Sequence, residues 1–216
     1  MLAIPRRCSG VGFLARAAQW NLARLAECLL PLLGEDQERA LAGAQEALSA
    51  FAPRFEAAYL GGLRRKIGLS TEREGDAELA QDLLRRMAEN GADFTLAFRR
   101  LCDAAAGPEG DAGVRALFAD PAAYDAWAGR WRERLAEEPA APSARAAAMR
   151  AANPAVIPRN HLVEAALSAA VEREDFGPFE ELHDVLSRPF EDRPGLERYA
   201  VPPKPEERVL QTFCGT

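Results

Sequence analysis

The stretch Tyr124-Asp125-Ala126-Trp127-Ala128-Gly129-Arg130-Trp131-Arg132-Glu133-Arg134-Leu135 decides the fold. Its large apolar residues, Tyr124, Trp127, Trp131 and Leu135, recur at i, i+3, i+7 and i+11, the spacing of one face of an α-helix. An aromatic stripe with that period reads as a packing face rather than a ligand box. On either side the chain is punctuated by loops. Gly107, Pro108 and Gly110 break it upstream, followed by a short helix bearing Val114, Leu117 and Phe118, and Pro139 to Ser143 forms a linker downstream.

Further out the same periodicity repeats. Leu22, Leu25, Ala26, Leu29 and Leu33 predict a helix that Gly34 stops. Leu41, Ala44, Leu48, Phe51, Phe55, Tyr59 and Leu63 keep a second stripe, in which Pro53 kinks the helix or marks a new first turn. Asp76 is expected to cap a helix with Leu79, Leu83, Leu84 and Met87, closed by Asn90-Gly91. Asp93 opens another through Phe94, Ala97, Phe98 and Leu101. After the linker come an Ala-rich helix to Ala152, a helix from Asn160 to Glu172 and one from Pro178 to Ser187. From Pro189 a proline-rich tail is expected to run extended over the helices. No strand-like alternation persists, so the predicted fold is all-α. The expected organisation is an N-terminal segment 1–18, a helical region 19–138, C-terminal helices 139–188 and the tail 189–216.

Composition agrees. Of 216 residues 44 are Ala and 25 are Arg, and only Lys66 and Lys204 carry an amine side chain. Ala is the strongest helix former, and the Ala/Arg excess is that of a GC-rich bacterial genome. A chain of this length hides about 70% of its unfolded surface and needs neither disulfide nor metal to fold. The net charge is −6, and Arg alternates with Glu and Asp, as in Glu133-Arg134 and Glu172-Arg173-Glu174-Asp175. That predicts a solvated, ion-paired helix surface and no nucleic-acid partner. No apolar run reaches the ~18–20 residues of a membrane span. Met1 to Leu14 lacks the apolar core of a secretory signal. Cys28 and Cys102 sit at helical apolar positions, and neither His161 nor His183 has a cysteine at zinc-ligand spacing. The expected setting is a reducing cytoplasm.

Chemistry is harder to find. No phosphate-binding glycine loop is present, and Gly61-Gly62 lies within a helical stripe. Asp175-Phe176-Gly177 spells a metal-binding triplet of kinases, but with no strand or catalytic-loop pattern nearby it reads as a helix-to-helix turn. His161 reads as a cap-region residue at a helix start, and His183 as solvent-facing beside Glu180 and Asp184. No serine lies in a nucleophile elbow. Cys214, third from the end, is either an accessible thiol open to oxidation and pairing or an incidental free cysteine.

Several stretches together resemble one family. Ala152-Asn153-Pro154-Ala155-Val156-Ile157-Pro158-Arg159-Asn160-His161-Leu162 is similar to the "NPxxxxRNxL" signature of the SelO (selenoprotein O) family. The similarity continues through Glu174-Asp175-Phe176, Pro194-Gly195-Leu196-Glu197-Arg198-Tyr199 and Pro202-Pro203 to Cys214, where the family has a cysteine or selenocysteine third from its end. Upstream, Gln19-Trp20-Asn21-Leu22-Ala23-Arg24-Leu25-Ala26 resembles its "WNLxRLA" helix, and Ala92-Asp93-Phe94-Thr95 its "ADYT" turn. The matched residues Trp20, Asn21, Asn153, Pro154, Arg159, Asn160 and Tyr199 are expected to be structural, and Cys214 is a redox candidate.

The resemblance implies a kinase-fold enzyme that binds ATP and Mg²⁺ and transfers AMP to Ser, Thr or Tyr hydroxyls of proteins. The family's nucleotide-binding Lys and Arg, its "NTDN" Asp and its "DYGPF" Asp all lie upstream of the "WNL" helix and match nothing here. The expectation is therefore the multi-helix C-terminal extension of a kinase-like C-lobe, catalytically incomplete, with no cofactor of its own. Met1 to Ala18 departs from the family's "RYxxxNQPxxxxWNL" approach, as a frameshift or misplaced start would produce. The resemblance also implies that the terminal cysteine pairs with one in the activation-loop region, which has no counterpart here. The rival expectations are a free-standing helical interaction module, pairing with a separately encoded kinase-like lobe, and a thiol redox protein built on Cys214.

Overall fold

The computed structural model describes residues 10–209, with side chains from 15 onward. The described residues are helical with no strand, in keeping with the all-α reading. No helix among them is long and apolar enough to cross a membrane. The chain divides into two compact units, one ending at Gly61 and the other starting at Gly62.

The first unit holds α1 (Gly10–Leu29), a 3-10 turn (Leu30–Leu32), α2 (Gln37–Ser49) and most of α3 (Phe51–Lys66). The α-helix predicted to reach Leu33 ends at Leu29, because Pro31 cannot donate its amide to continue it and the chain tightens into the 3-10 turn. Asp36 starts α2 by accepting the Arg39 amide at 3.1 Å. The long stripe predicted from Leu41 to Leu63 is two helices broken at Ala50, with Pro53 in the first turn of α3. Phe51, Phe55 and Tyr59 form a ring ladder along α3, with centroids 5.8 and 6.4 Å apart. Ala40 is the one buried residue among the described residues up to Gly61.

The second unit contains α4 (Asp76–Glu89), α5 (Phe94–Ala106), α6 (Asp111–Arg115), α7 (Pro121–Ala136), α8 (Pro142–Ala152), α9 (Asn160–Arg173) and α10 (Gly177–Leu186). Helix α5 packs on α8, α4 on α7, and α9 on α10. Tyr124, Trp127 and Trp131 are wholly buried, and Leu135 nearly so. Each indole removes ~150–250 Å² from water, on the order of 5 kcal/mol before entropy is counted. The Trp127 and Trp131 rings stack with centroids 5.1 Å apart. Their N–H groups need acceptors in this dry setting, and both find backbone carbonyls. Trp127 Nε1 donates to Leu79 O at 2.9 Å, and Trp131 Nε1 to Ile67 O at 2.8 Å. One helix face thus fixes both α4 and the turn after α3. That turn requires Gly68, whose φ is +81° and where an added Cβ would lie 2.7 Å from Met149 Sδ.

Three expectations need correction. Asp76 is not the cap of α4 but its first residue, after Gly75 in the left-handed conformation. Its 2%-exposed carboxylate instead accepts from the Arg73 amide and from Arg134. Arg134, read as part of a solvated surface, is only 10% exposed because Asp76 and Glu138 draw it inward. The described part of the tail is not continuously extended, since 3-10 turns at Glu197–Tyr199 and Pro205–Glu207 fold it locally. Tyr199 joins Val156, Ala166, Leu182 and Val185 in a small apolar cluster.

Candidate functional site

Of the residues singled out from sequence, Asn153, Pro154, Arg159, Asn160 and Tyr199 lie at the junction of α8, α9 and the tail. Helix α8 stops at Ala152, and Asn153 turns extended at φ −119°, ψ 108° ahead of Pro154, as a residue before proline is driven to do. The Asn153 side chain is wholly buried, so each of its polar atoms requires a partner. Nδ2 donates to Lys66 O at 2.9 Å and to Cys102 Sγ at 3.7 Å, and Oδ1 accepts from Lys66 Nζ at 3.2 Å. Lys66 Nζ also donates to Ala152 O and lies 5.3 Å from the Phe98 ring centroid. Burial lowers the Lys66 amine below its ordinary pKa, with Cys102 acting the other way. Burial likewise pushes the Cys102 thiol up, against a hydrogen bond from Asn153, which keeps it protonated and inert.

Arg99 completes this layer. Nη1 donates to Arg150 O at 3.1 Å and Asn153 O at 2.8 Å, and Nη2 to Phe190 O at 3.2 Å. Nε and Nη2 pair with the Asp192 carboxylate. All three nitrogens of this guanidinium have acceptors, and together they pin the tail to α5 and the end of α8.

Arg159 forms the second layer. It is 7% exposed and pairs in two-pronged fashion with Asp93 at 2.9 and 3.0 Å, while Nη2 also donates to Ala200 O at 2.6 Å. Asp93 caps α5 as expected, accepting the Leu96 amide at 2.9 Å. Burial alone would raise the Asp93 carboxyl, but Arg159 and the Leu96 and Thr95 amides hold it below the usual range. Pro154 is half-buried and Asn160, the first residue of α9, is exposed. Trp20 and Asn21 lie exposed on α1 in the first unit, Trp20 at 61%. Cys214 falls outside the described residues.

Sequence reasoning missed Arg99, Lys66 as a hub, and Glu138. The Glu138 side chain is fully buried, accepts from the Ser70 amide at 2.8 Å and the Ser70 and Thr71 hydroxyls, and forms an ion pair with Arg134 Nη1 at 2.8 Å. Burial pushes its carboxyl up, yet the Ser70 and Thr71 donors overcome that and hold it down to about 2. Apart from Arg134, four residues from Glu138, the partners of these residues are distant: Ser70 lies 68 positions from Glu138 and Asp192 93 from Arg99.

A nucleotide triphosphate with Mg²⁺, the cofactor implied by resemblance, needs unpaired cations facing a cleft and clustered carboxylates. The buried cations here do not fit that requirement: Lys66 already serves two carbonyl oxygens, and Arg99 and Arg159 serve carboxylates and backbone. Among the described residues no three His, Cys, Asp or Glu side chains are grouped to hold a metal ion. Asp175-Phe176-Gly177 is a turn, with Glu174 left-handed at φ 53° and Asp175 Oδ1 accepting the Gly177 amide at 3.0 Å. His183 is exposed, as predicted, beside Phe179.

The described residues form an all-helical scaffold whose buried charges bind its own loops, and comparison with known proteins says to which family it belongs. The family model described as "Protein adenylyltransferase SelO" matches residues 14–187, and the chain belongs to that family of protein nucleotidyltransferases. It is 60% identical over 201 residues to "Protein nucleotidyltransferase YdiU" of Bradyrhizobium sp. (strain BTAi1 / ATCC BAA-1182), covering 93% of this chain and 41% of the relative. It is 59% identical over 199 residues to the protein of that name from Rhodopseudomonas palustris (strain BisB5), covering 92% of this chain and 40% of the relative. To that of Methylorubrum populi it is 58% identical over 207 residues, covering 93% and 42%. The chain spans about two fifths of the length of these curated relatives.

Proposed function

We propose that this chain is the C-terminal helical portion of a SelO-type protein adenylyltransferase and that its work is mechanical. It braces a kinase-like C-lobe and holds the tail that ends in Cys214, while AMP transfer from ATP–Mg²⁺ to Ser, Thr or Tyr hydroxyls of cytoplasmic proteins belongs to the remaining three fifths of the family polypeptide. One observation carries the reading. The residues shared with the family signature, Asn153 and Arg159, have their polar groups turned toward α3, α5 and the tail rather than into a ligand cleft.

The test is nucleotide binding by the purified chain. Calorimetry with ATP and Mg²⁺ is expected to give no saturable heat, and incubation with a tagged ATP no self-labelling. Micromolar binding or covalent labelling would overturn the assignment of catalysis to the rest of the polypeptide. A second reading, a helical interaction module for a separately encoded lobe, is favoured by the apolar surface of the first unit. A redox role for Cys214 rests on sequence position alone.

A further inference from the structure

Among the described residues of the first unit a trough stays open. A cleft of about 470 Å³ is floored by Leu22, Leu25 and Leu29 of α1, Leu48 of α2 and Phe51 of α3, with Arg54 the single charged group lining it. A second cleft of about 620 Å³ shares Leu33, Ala44 and Ala47 with the first and ends at Glu35, Asp36 and Arg39. The two clefts adjoin at Leu33, Ala44 and Ala47, with a cation at the Arg54 end and Glu35, Asp36 and Arg39 at the other. Leu25 and Leu33 are more than half exposed, and Leu29 is 38% exposed. Isolated exposed leucines are ordinary, but a contiguous patch of this kind marks an interaction surface.

One charge at each end, Arg54 and Glu35, is uncommitted, whereas Asp36 is taken by the α2 cap. Neither the Arg54 guanidinium nor the Glu35 carboxylate has an ion pair or side-chain hydrogen bond among the described residues, unlike Arg24 and Glu27, which pair with each other at 2.6 Å. Helices favour carboxylates in their first turn and basic residues in their last. A helix laid in the trough with its acidic first turn at Arg54 and its basic last turn at Glu35 satisfies both groups. Because α2 begins beside Glu35, the docked helix runs antiparallel to α2.

We infer that this trough is the seat of an amphipathic helix from the part of the family polypeptide that this chain does not span, held by its apolar face and by opposite charges at its two ends. The inference rests on the reading above. The matches cover 93% of this chain, the family model starts at residue 14 within α1, and the relatives are more than twice as long. Leu22, Leu25 and Ala26 of the stretch resembling the "WNLxRLA" motif line the trough, and among the described residues Leu22 and Leu25 stay exposed. The mode is that of a helix laid in a groove, read by leucines at three- and four-residue steps.

The test uses the full chain and, as probe, the portion of the Bradyrhizobium relative outside the matched region, produced as a separate polypeptide. Calorimetry is expected to show a one-to-one complex. Leu25→Asp and Leu29→Asp should each weaken it about 100-fold or more, as burying an unpaired carboxylate at an interface centre does. Arg54→Glu should weaken it about tenfold and reduce its salt dependence. If the probe is insoluble alone, co-expression with the wild-type chain should bring it into solution, and co-expression with Leu25→Asp should not. Helical circular dichroism of each variant excludes misfolding. No complex and no rescue of solubility overturns the inference, as does binding that ignores all three substitutions. Sedimentation of the chain alone covers the remaining occupant: a concentration-dependent dimer abolished by Leu25→Asp would assign the trough to a second copy instead. Failure of the earlier reading looks different, since it would show as nucleotide labelling by the chain without any probe.

Discussion

Arg159 and Asp93 stand 66 positions apart in the chain and meet in a two-pronged ion pair, with Nη1 to Oδ2 at 2.9 Å and Nη2 to Oδ1 at 3.0 Å. The same carboxylate caps α5, and the same guanidinium holds Ala200 O of the tail. One contact thereby joins the start of α5, the start of α9 and the tail.

Removing one partner of a nearly buried pair leaves the other uncompensated, which costs about 3–5 kcal/mol. Arg159→Ala is expected to lose about 3 kcal/mol in urea unfolding followed by the fluorescence of Trp127 and Trp131. Asp93→Asn keeps the cap but strands the guanidinium, and Asp93→Ala should lose about 1 kcal/mol more through the missing cap. An Arg159→Ala protein as stable as wild type would show the pair to be incidental.

Acid stability should centre on Glu138. Its folded carboxyl titrates at about 2 against an ordinary 4.5, so the folded state favours the ionised form. The contribution is fully present above pH 4.5 and is lost as pH falls from there toward 2. Linkage puts its size at about 3 kcal/mol. Glu138→Gln should be less stable than wild type at pH 7 and should flatten the stability curve between about pH 5 and 3. Two parallel curves across that window would rule out Glu138 as the titrating group.

The three tryptophans should separate in quenching. Trp20 is 61% exposed, and Trp127 and Trp131 are fully buried. Acrylamide is expected to quench one component, red-shifted and absent from Trp20→Phe, while the remainder emits to the blue. Trp131→Phe should destabilise by about 1–3 kcal/mol, because the Ile67 carbonyl at 2.8 Å loses its buried donor.

Thiol reactivity divides along the same line. Cys28 is exposed, whereas Cys102 is buried with its thiol pushed up. In a Cys8→Ser, Cys214→Ser background, Ellman's reagent should take one thiol per chain at once and a second only after denaturant. Rapid reaction of both would mean that the layer around Asn153 opens freely.

Helices are legible in the sequence because their signals are local. The Tyr124–Leu135 stripe, the Asp93 cap, the Asn90-Gly91 stop and the turn at Asp175-Phe176-Gly177 each depend on residues within about one helical turn of one another. The second layer of information is not local. Arg134 and Arg99 look in sequence like any arginine of an ion-paired surface, and only the approach of the distant Asp76 and Asp192 draws them inward. Asp76 misleads for the same reason, since an aspartate near a helix start signals a cap whether or not a distant arginine claims its oxygens.

The sequence by itself determined an all-helical chain, the punctuation between its helices and its family. Those follow from period, backbone propensity and the short motifs around Asn153 and Arg159. Tertiary structure alone decided that Asn153 bridges Lys66 and Cys102, that Arg99 fastens the tail, and that Leu22, Leu25 and Leu29 of α1 stay exposed among the described residues. The physical reason is range. Helical periodicity is set within about four residues, whereas the partner that satisfies a buried polar group or covers an apolar face can lie anywhere along the chain or beyond it.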